Sequence, residues 1–276
     1  MPYYAGMGCS QPQMEVLPML LVMDVGNTNT VLGLFEGEKL LAHWRVITGN
    51  YRTSDELRFL LGLLFQQEGY DLRKVRGCCI SSVVPQLDNA LQRVSQTVFK
   101  VDAVMVGPGV KTGLVLQFDN PKEIGADRIV NAVAAVETYG GPAVVVDFGT
   151  ATTFDAVTAN HEYRGGVIVP GLQVAADALF EKCAKLPRVD ISKPPNVIGR
   201  NTVDSIRSGL TYGYADLVDG VVARFAGEMK TQPNVVATGG LAELIASISK
   251  TITIVDPLLT LKGLTAVYRR NERGPA

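Results

Sequence analysis

One motif occurs twice in this chain, and it constrains the fold more than any other feature. Residues 20–30 read LLVMDVGNTNT and residues 143–153 read AVVVDFGTATT. In each copy an apolar run ends in Asp-x-Gly and then in small residues with hydroxyl or amide groups, which is typical of a buried strand that enters a tight turn. Because the copies lie about half of the 276 residues apart, they predict two similar halves.

The patterns that follow the two copies also correspond. Each copy is followed by two further strand-like segments and then by alternating helices and strands, so the order βββαβαβ is predicted in both halves. It predicts an α/β protein with two mixed sheets and a cleft between the halves. We place a flexible N-terminal extension at 1–18, the first half at 19–141 and the second at 142–276. The predicted helices span 54–67, 86–97, 171–185, 202–227 and 241–249, and the later strands span 77–83, 103–106, 235–237 and 253–255.

The charges nearly cancel, with 26 Lys and Arg residues against 27 Asp and Glu residues. With a net charge of -1 the chain has no overall basic field that would gather nucleic acid or an anionic membrane, so a small-molecule partner is favoured. The longest apolar stretch near the start is interrupted by Pro18 and is too short to span a bilayer. Four cysteines without a Cys-x-x-Cys pair favour reduced thiols and a cytoplasmic location.

The two Asp-x-Gly turns are candidate phosphate-binding loops. Gly26 lets a ligand approach the backbone, the neighbouring Asn and Thr residues offer short polar groups, and Asp24 would face the metal ion that phosphates bring. The structural alternative is a hairpin whose Asp and Asn satisfy the turn, with Thr residues that reflect strand propensity in the second copy. Two acidic strand ends that face each other across the halves favour a cleft for a nucleotide and its metal ion.

A third segment, from Asn120 to Arg128, precedes the apolar run IVNAVAAV. Asp127 is placed to be a helix N-cap and Arg128 to be a solvated residue of the first turn. The functional alternative is a carboxylate base beside a guanidinium that grips an anionic substrate. Spacing alone does not choose between these interpretations.

Other motifs are weak or missing. The Gly-rich joints at 165–171 and 238–240 fit ordinary strand-to-helix packing or a flat contact with adenosine. The chain contains no P-loop, dinucleotide-binding or zincin motif. Because its only histidines are His43 and His161, the sequence offers no His-rich metal site and no obvious catalytic triad.

Six short motifs follow one another in a single order. They are DVGNTNT at 24–30, GADR at 125–128, DFGTATT at 147–153, GGVIVPG at 165–171, GRNTVDSIRSG at 199–209 and TGG at 238–240. Together they resemble the bacterial type III pantothenate kinases, over nearly all of residues 19–268. That family belongs to the actin, Hsp70 and sugar-kinase superfamily, with duplicated ribonuclease-H-like halves. The resemblance implies ATP-dependent phosphorylation of pantothenate, the first step toward coenzyme A.

The resemblance also implies roles for individual residues. Asp127 would be the catalytic proton acceptor, and Asp147 would hold a monovalent cation, K⁺ or NH₄⁺, while Asp24 would position Mg²⁺. The ATP-binding residues would be Asp24, Val25, Gly26, Asn27, Thr28, Asn29, Thr30, Val31 and Thr150. The pantothenate-binding residues would be Phe118, Gly125, Ala126, Asp127, Arg128 and Thr202. Phe118 stands where the family usually has Tyr, so a hydroxyl contact to the substrate is expected to be missing.

Alternatives within the superfamily stay open at this point. A kinase for a sugar or acetate would share the phosphate loops, a regulatory relative would keep the fold without activity, and a filament protein would be longer than this chain. The family resemblance further implies a homodimer. The apolar residues of the helix predicted at 171–185 would suit a partner or the core of the same chain equally well.

Overall fold

The strand predicted to begin at residue 19 forms the centre of the first sheet. In the computed structural model, which describes residues 18–49 and 52–272, β1 begins at Met19. It pairs with β2 in antiparallel and with β4 in parallel orientation. The sheet has the order β3-β2-β1-β4-β5, with β1 at Met19–Val25, β2 at Asn29–Glu36, β3 at Lys39–Ile47, β4 at Val75–Ser82 and β5 at Val104–Met105.

The second sheet repeats this arrangement around its own first strand. β7 pairs in antiparallel orientation with β8 and in parallel orientation with β10. The sheet has the order β11-β10-β7-β8-β9-β6, with β6 at Val115–Leu116, β7 at Ala143–Phe148, β8 at Ala151–Val157, β9 at Glu162–Pro170, β10 at Asn234–Gly239 and β11 at Ile254–Val255.

Seven α-helices are present in the described parts of the chain. Helix α1 begins as predicted, because Thr53 and Glu56 form a reciprocal capping box at its N-terminus. Helix α2 continues into a π-helical turn at Ser95–Phe99, and 3-10 turns occur at Leu72–Lys74 and Pro121–Glu123. The helices are α1 Ser54–Gln67, α2 Pro85–Val94, α3 Ala126–Tyr139, α4 Leu172–Lys182, α5 Thr202–Met229, α6 Ala242–Ala246 and α7 Leu259–Asn271.

The predicted duplication is confirmed by the order of these elements. The first half runs β1-β2-β3-α1-β4-α2-β5, and the second runs β7-β8-β9, then α4 and α5, then β10-α6-β11. Each half is followed by one more helix, α3 or α7. Helix α7 was not predicted, and α3 was noted only as an apolar run. These two helices correspond to each other in the duplicated fold.

Helices α3 and α7 exchange places between the halves. Helix α3 packs against β7 and β8 of the second sheet, whereas α7 packs against β1 and β4 of the first. Strand β6 lies in the first half of the sequence but pairs with β9 of the second sheet. The domain boundary at residue 141 remains a prediction from the sequence. Segments on each side of this boundary pair with or pack against the sheet of the other half.

The cores follow the same layering. One apolar cluster lies between the sheets and contains the buried faces of α3 and α7, a second lies between the first sheet and α1 and α2, and a third lies between the second sheet and α5 and α6. Helices α3 and α7 touch closely at Gly263, where an added Cβ would collide with the backbone oxygen of Val130. The two halves therefore share a packed helical centre beneath the cleft.

Other expectations from the sequence concern the membrane, the thiols and the N-terminus. Over residues 18–49 and 52–272, no helix has the length and apolar character needed to cross a membrane. Cys78, Cys79 and Cys183 are free thiols, and the first two are buried. Cys9 and nearly all of the predicted N-terminal extension lie outside the described residues.

Candidate active site

The two copies of the repeated motif face each other. The first turn joins β1 to β2 and is closed by a hydrogen bond from the Gly26 N–H to the Asn29 carbonyl oxygen, 3.1 Å long. The second turn joins β7 to β8. The side-chain oxygens of Thr28 and Thr150, one from each turn, lie 2.9 Å apart and share a hydrogen bond. Residues separated by about half of the sequence thus meet at the mouth of one cleft.

Only some of the polar residues in these turns present their side chains to the cleft. Asn27, Thr28 and Thr150 are exposed. The Thr30 hydroxyl is 2.8 Å from that of Thr48, and Thr152 is fully buried with no hydrogen-bond partner for its hydroxyl among the described residues. The side chain of Val25 is buried in the core, so this residue can offer a ligand only its backbone.

Asp24 and Asp147 lie at equivalent positions on the floor of the cleft. Asp24 accepts a hydrogen bond of 2.5 Å from the Ser81 hydroxyl, and Asp147 accepts one of 2.9 Å from the Asn131 side-chain amide. Desolvation by surrounding protein atoms raises the pKa of each carboxyl group to about 7, although the cleft leaves part of each residue accessible. The negative charge of Asp127 raises both pKa values further. Three carboxyl groups thus share one cleft.

Asp127 is the second residue of α3, and the expectation that it caps this helix is wrong. Gly125 is the N-cap residue and Ala126 the first helical residue. The Asp127 side chain instead accepts a 2.8 Å hydrogen bond from the Arg128 N–H. Burial raises the pKa of Asp127, and the hydrogen bond and positive charge of Arg128 oppose that rise. Because its charge acts on both Asp24 and Asp147, the carboxyl group lies in the cleft with theirs, at the start of a helix.

Arg128 is also not the solvated residue that the capping interpretation predicts. It is only 8% exposed, and its Nε donates a 2.8 Å hydrogen bond to Oδ1 of Asp155, a fully buried residue of β8. The Tyr163 hydroxyl donates to the same oxygen at 2.6 Å. The structure thus brings Arg128 next to Asp127, as the functional interpretation requires, but it also gives Arg128 a buried counter-ion.

Phe118 and the Gly-Gly pair of the GGVIVPG motif border this group. The Phe118 ring lies 6.3 Å from the Tyr163 ring, centroid to centroid, and packs over Gly165. Gly166 lies opposite Asp155 in the β8–β9 pairing. This placement associates the Gly-Gly pair with the Arg128 cluster and not with a strand-to-helix joint.

Thr202 lies apart from this cluster in the described structure. It is the exposed first residue of α5 and borders a hollow of about 460 Å³ between α4 and α5. The other residues of that hollow are mostly apolar and include Leu179, Leu186, Ile206 and Leu210.

Several residues around the site were missed by sequence reasoning. The sequence does mark Asp155 as a candidate site residue, because it is an acidic residue in the otherwise apolar and Thr-rich strand ATTFDAV. No sequence pattern marks Asn131 and Ser81, which donate hydrogen bonds to Asp147 and Asp24 respectively. Arg45 was missed as well. In the pairing of β1, β2 and β3 it is in register with Asp24 through Val31, and its charge lowers the pKa of Asp24.

Comparison with known proteins identifies the family. The profile of the type III pantothenate kinases matches residues 20–224. The chain belongs to this family. It is 55% identical over 253 residues to the type III pantothenate kinase of Myxococcus xanthus (strain DK1622). The aligned residues make up 92% of this chain and 99% of the relative. It is 50% identical over 253 residues to that of Halalkalibacterium halodurans, covering 92% and 100%.

Solved structures with low sequence identity share the fold. One is a protein classed with the Baf family of transcriptional activators, from Campylobacter jejuni, with a TM-score of 0.59, 18% identity and coverage of 91% of this chain and 98% of that chain. Another is the ethanolamine utilization protein EutJ from Carboxydothermus hydrogenoformans, with a TM-score of 0.53, 16% identity and coverage of 91% and 90%. They support the two-lobed ribonuclease-H-like architecture and carry no information about activity.

Family membership decides between the functions left open by the sequence. As a type III pantothenate kinase, the protein transfers a phosphoryl group from ATP to pantothenate, the first step of coenzyme A biosynthesis. The alternatives with a sugar or acetate as acceptor are set aside, as is the inactive regulatory relative.

Proposed function

We propose that phosphoryl transfer to pantothenate takes place in the cleft between the two Asp-x-Gly turns. The observation that carries this proposal is that Asp24, Asp127 and Asp147, from three separate elements, lie in one cleft, where the charge of Asp127 raises the pKa of both other carboxyl groups. Burying like charges together lowers the stability of a fold. A cleft that keeps such a cluster is therefore a candidate reaction centre.

The nucleotide would lie across the mouth of the cleft. Thr28 and Thr150 would donate hydrogen bonds to its phosphates, because their hydroxyls are exposed and lie 2.9 Å apart. The backbone of residues 24–31 would supply further donors, as the tight turn at Gly26 brings successive N–H groups together.

Pantothenate would lie at the start of α3. In this arrangement Arg128 holds the substrate carboxylate and residues 125–127 line the pocket, with Phe118 packing against the substrate. The Phe118 ring offers no hydrogen bond, so we expect weaker substrate binding than with Tyr at this position. Thr202 would reach the substrate only if the hollow beside α5 is continuous with the pocket.

Asp127 would act as the proton acceptor. Phosphoryl transfer has a loose transition state, so the protein contributes mainly by aligning the groups and by offsetting charge on the phosphoryl oxygens. Asp127 would orient the primary hydroxyl of pantothenate and take its proton as the oxygen attacks the γ-phosphorus. Burial raises the pKa of Asp127 above its ordinary value, which makes it a stronger base than an exposed carboxylate.

The donor chemistry of the cleft floor fits the cations that the family implies. Carboxylate oxygens are hard ligands, and a bound cation would favour the ionised forms of Asp24 and Asp147, whose pKa values are raised by burial and by the charge of Asp127. Asp147 would hold K⁺ or NH₄⁺, and Asp24 would hold Mg²⁺ through water. In the described residues no three acidic, His or Cys side chains lie close enough together to share one metal ion, so water, backbone or phosphate oxygens would complete each shell. When bound, these ions supply charge that offsets the phosphates.

The Asp127→Asn variant tests the central role. We expect kcat to fall on the order of 10²–10⁴-fold, because the amide cannot accept the proton. Binding of ATP and of pantothenate, measured by calorimetry, should stay close to wild type. Asp55→Asn is a matched control, because Asp55 is an exposed carboxylate in the first turn of α1. Near-normal turnover by a folded Asp127→Asn protein would remove Asp127 from catalysis.

We further propose a homodimer with a cytoplasmic location. Apolar side chains of α4 and the following loop are exposed, among them Leu179, Phe180 and Ile198, which supports a partner surface. The buried free thiols of Cys78 and Cys79 suit a reducing compartment. That neither nucleic acid nor a membrane is a partner stays a prediction from the near-zero net charge.

A further inference from the structure

A buried carboxylate stands behind the residue to which we assign substrate binding. Asp155 is fully buried, and its Oδ1 accepts hydrogen bonds from Arg128 Nε at 2.8 Å and from the Tyr163 hydroxyl at 2.6 Å. Nη2 of Arg128 lies 2.7 Å from the same oxygen. A buried ion pair of this kind is often no more stabilising than apolar packing, so its presence calls for a role beyond stability.

The geometry leaves part of the guanidinium free. Nε and Nη2 of Arg128 both face the Asp155 carboxylate, and Nη2 is a buried atom that makes no well-directed hydrogen bond within the described parts of the chain. The remaining nitrogen, Nη1, has no hydrogen bond to the described residues and is not fully buried, so its N–H groups are the ones available for a ligand. An added Cβ at Gly166 would lie 2.7 Å from Nη2 and would collide with the Phe154 carbonyl oxygen. Gly166 therefore makes room for the guanidinium.

The support for this orientation comes from a rigid element. Asp155 lies in β8, between Val145 of β7 and Gly166 of β9 in the sheet register, whereas Arg128 lies in the first turn of α3. The Arg128 N–H also donates to the Asp127 carboxyl group. One residue of α3 thus links the sheet, the guanidinium and the proposed base.

We propose that Asp155, aligned by Tyr163, is a positioning residue that fixes the direction of the Arg128 guanidinium toward the carboxylate of the acceptor. Because Asp155 already offsets the charge of Arg128, recognition would depend on the direction of the free N–H groups more than on net charge. This inference rests on the proposed role of Arg128 in substrate binding.

The test separates acceptor binding from every other step. In Asp155→Asn we expect KM for pantothenate to rise on the order of tenfold, with KM for ATP unchanged, because a hydrogen bond to a charged group is lost. Tyr163→Phe should raise the same KM by a smaller factor. The preference for pantothenate over the analogue with an alcohol in place of the carboxylate should fall in both variants.

The chain contains a matched control. Asp256 accepts hydrogen bonds from the Tyr139 hydroxyl at 2.8 Å and from Lys262 at 2.7 Å, so it is a second buried carboxylate with a Tyr and a cation. Asp256→Asn and Tyr139→Phe should change the melting temperature but neither the KM for pantothenate nor the preference for the acid. Equal KM effects in both sets would show a merely structural role and overturn the proposal.

Arg128→Lys distinguishes the substrate-binding role of Arg128 from the positioning role of Asp155. If Arg128→Lys raises KM for pantothenate while Asp155→Asn and Tyr163→Phe leave it unchanged, the positioning role fails and the substrate-binding role of Arg128 stands. If Arg128→Lys itself leaves KM and the acid preference unchanged, both fail. Should Asp155→Asn not fold, Tyr163→Phe decides, because an unchanged KM in that variant contradicts the proposal.

Discussion

At the scale of single residues, the cleft concentrates negative charge that the sequence spreads over more than a hundred positions. Asp24 and Asp147 each end a central strand, and Asp127 starts a helix that packs on the second sheet. Desolvation is the largest cause of the raised pKa values, and repulsion among the three carboxylates adds to it. The proposed cations would offset this negative charge.

The stability of the cation-free protein should reflect this negative charge. A carboxyl group with a pKa of 3.8 in the unfolded chain and about 7 in the folded protein holds its proton longer in the folded state. The contribution of Asp24 and Asp147 to the free energy of unfolding should thus fall as pH rises from about 4 to about 7. Asp24→Asn should weaken this dependence in urea titrations with chelator, and parallel curves for variant and wild type would contradict it.

Added cations should reverse the loss. At pH 8, K⁺ should raise the melting temperature of the wild-type protein more than Na⁺ does, because the ion that Asp147 is proposed to bind stabilises the folded state. Asp147→Asn should abolish this difference between the two salts. An equal response to both salts in the wild-type protein would remove the cation role of Asp147.

At the scale of elements, the crossing of α3 and α7 beneath the cleft holds the site together. Helix α3 carries Asp127, Arg128 and Asn131, and the Thr260 hydroxyl of α7 donates a 2.7 Å hydrogen bond to the Asn131 side chain. Asn131 in turn donates to Asp147. The position of Asp147 therefore depends on contacts among β7, α3 and α7.

A pair of glycine substitutions tests the closeness of this crossing. Gly263→Ala in α7 should lower the free energy of unfolding by about 1–3 kcal/mol, because its Cβ would collide with Val130 of α3. Gly220→Ala in α5 meets no atom within 4 Å. It should be neutral or stabilise by roughly 0.5–1 kcal/mol through helix propensity. Urea titrations compare the two, and equal midpoints would contradict the close contact.

At the scale of the whole molecule, the face formed by α4 and the segment before α5 carries several exposed apolar side chains. Ile198 is 83% exposed, Leu179 is 36% exposed and lines the hollow beside Thr202, and Phe180 stacks beneath the Arg188 guanidinium. The sequence left open whether the apolar residues of α4 face a partner or the core. In the structure Leu172 and Ala176 are buried, whereas Val174, Leu179 and Phe180 are exposed.

The proposed dimer makes a specific prediction about this face. Leu179→Glu should convert the protein from about twice 29.6 kDa to a single chain in analytical ultracentrifugation, because a buried unpaired charge is costly. Phe59→Glu is the control, since Phe59 is 70% exposed on α1 and lies away from the hollow. A wild-type protein that sediments as a single chain would exclude the dimer.

The sequence alone determined the duplicated order of elements and the chemistry of the repeated turns. Strand periodicity and the Asp-x-Gly signature are local properties, so they can be read without knowing what packs against them. The helix predicted at 54–67 likewise has the predicted bounds in the structure. Local preferences were misleading for Asp127 and Arg128. The preference of Asp for the N-cap position predicts a solvated first turn, because it contains no information about the residues that pack around the helix.

Only the tertiary structure decided which side chains meet. Asp155, Tyr163 and Gly166 come from two paired strands, and they reach Arg128 because α3 crosses onto the second sheet. The exchange of α3 and α7 between the halves is equally invisible in the sequence, since contacts between distant segments depend on how two sheets pack around shared helices. The local pattern therefore identified the two Asp-x-Gly turns, and long-range packing determined which residues surround Arg128 on the proposed acceptor side of the cleft.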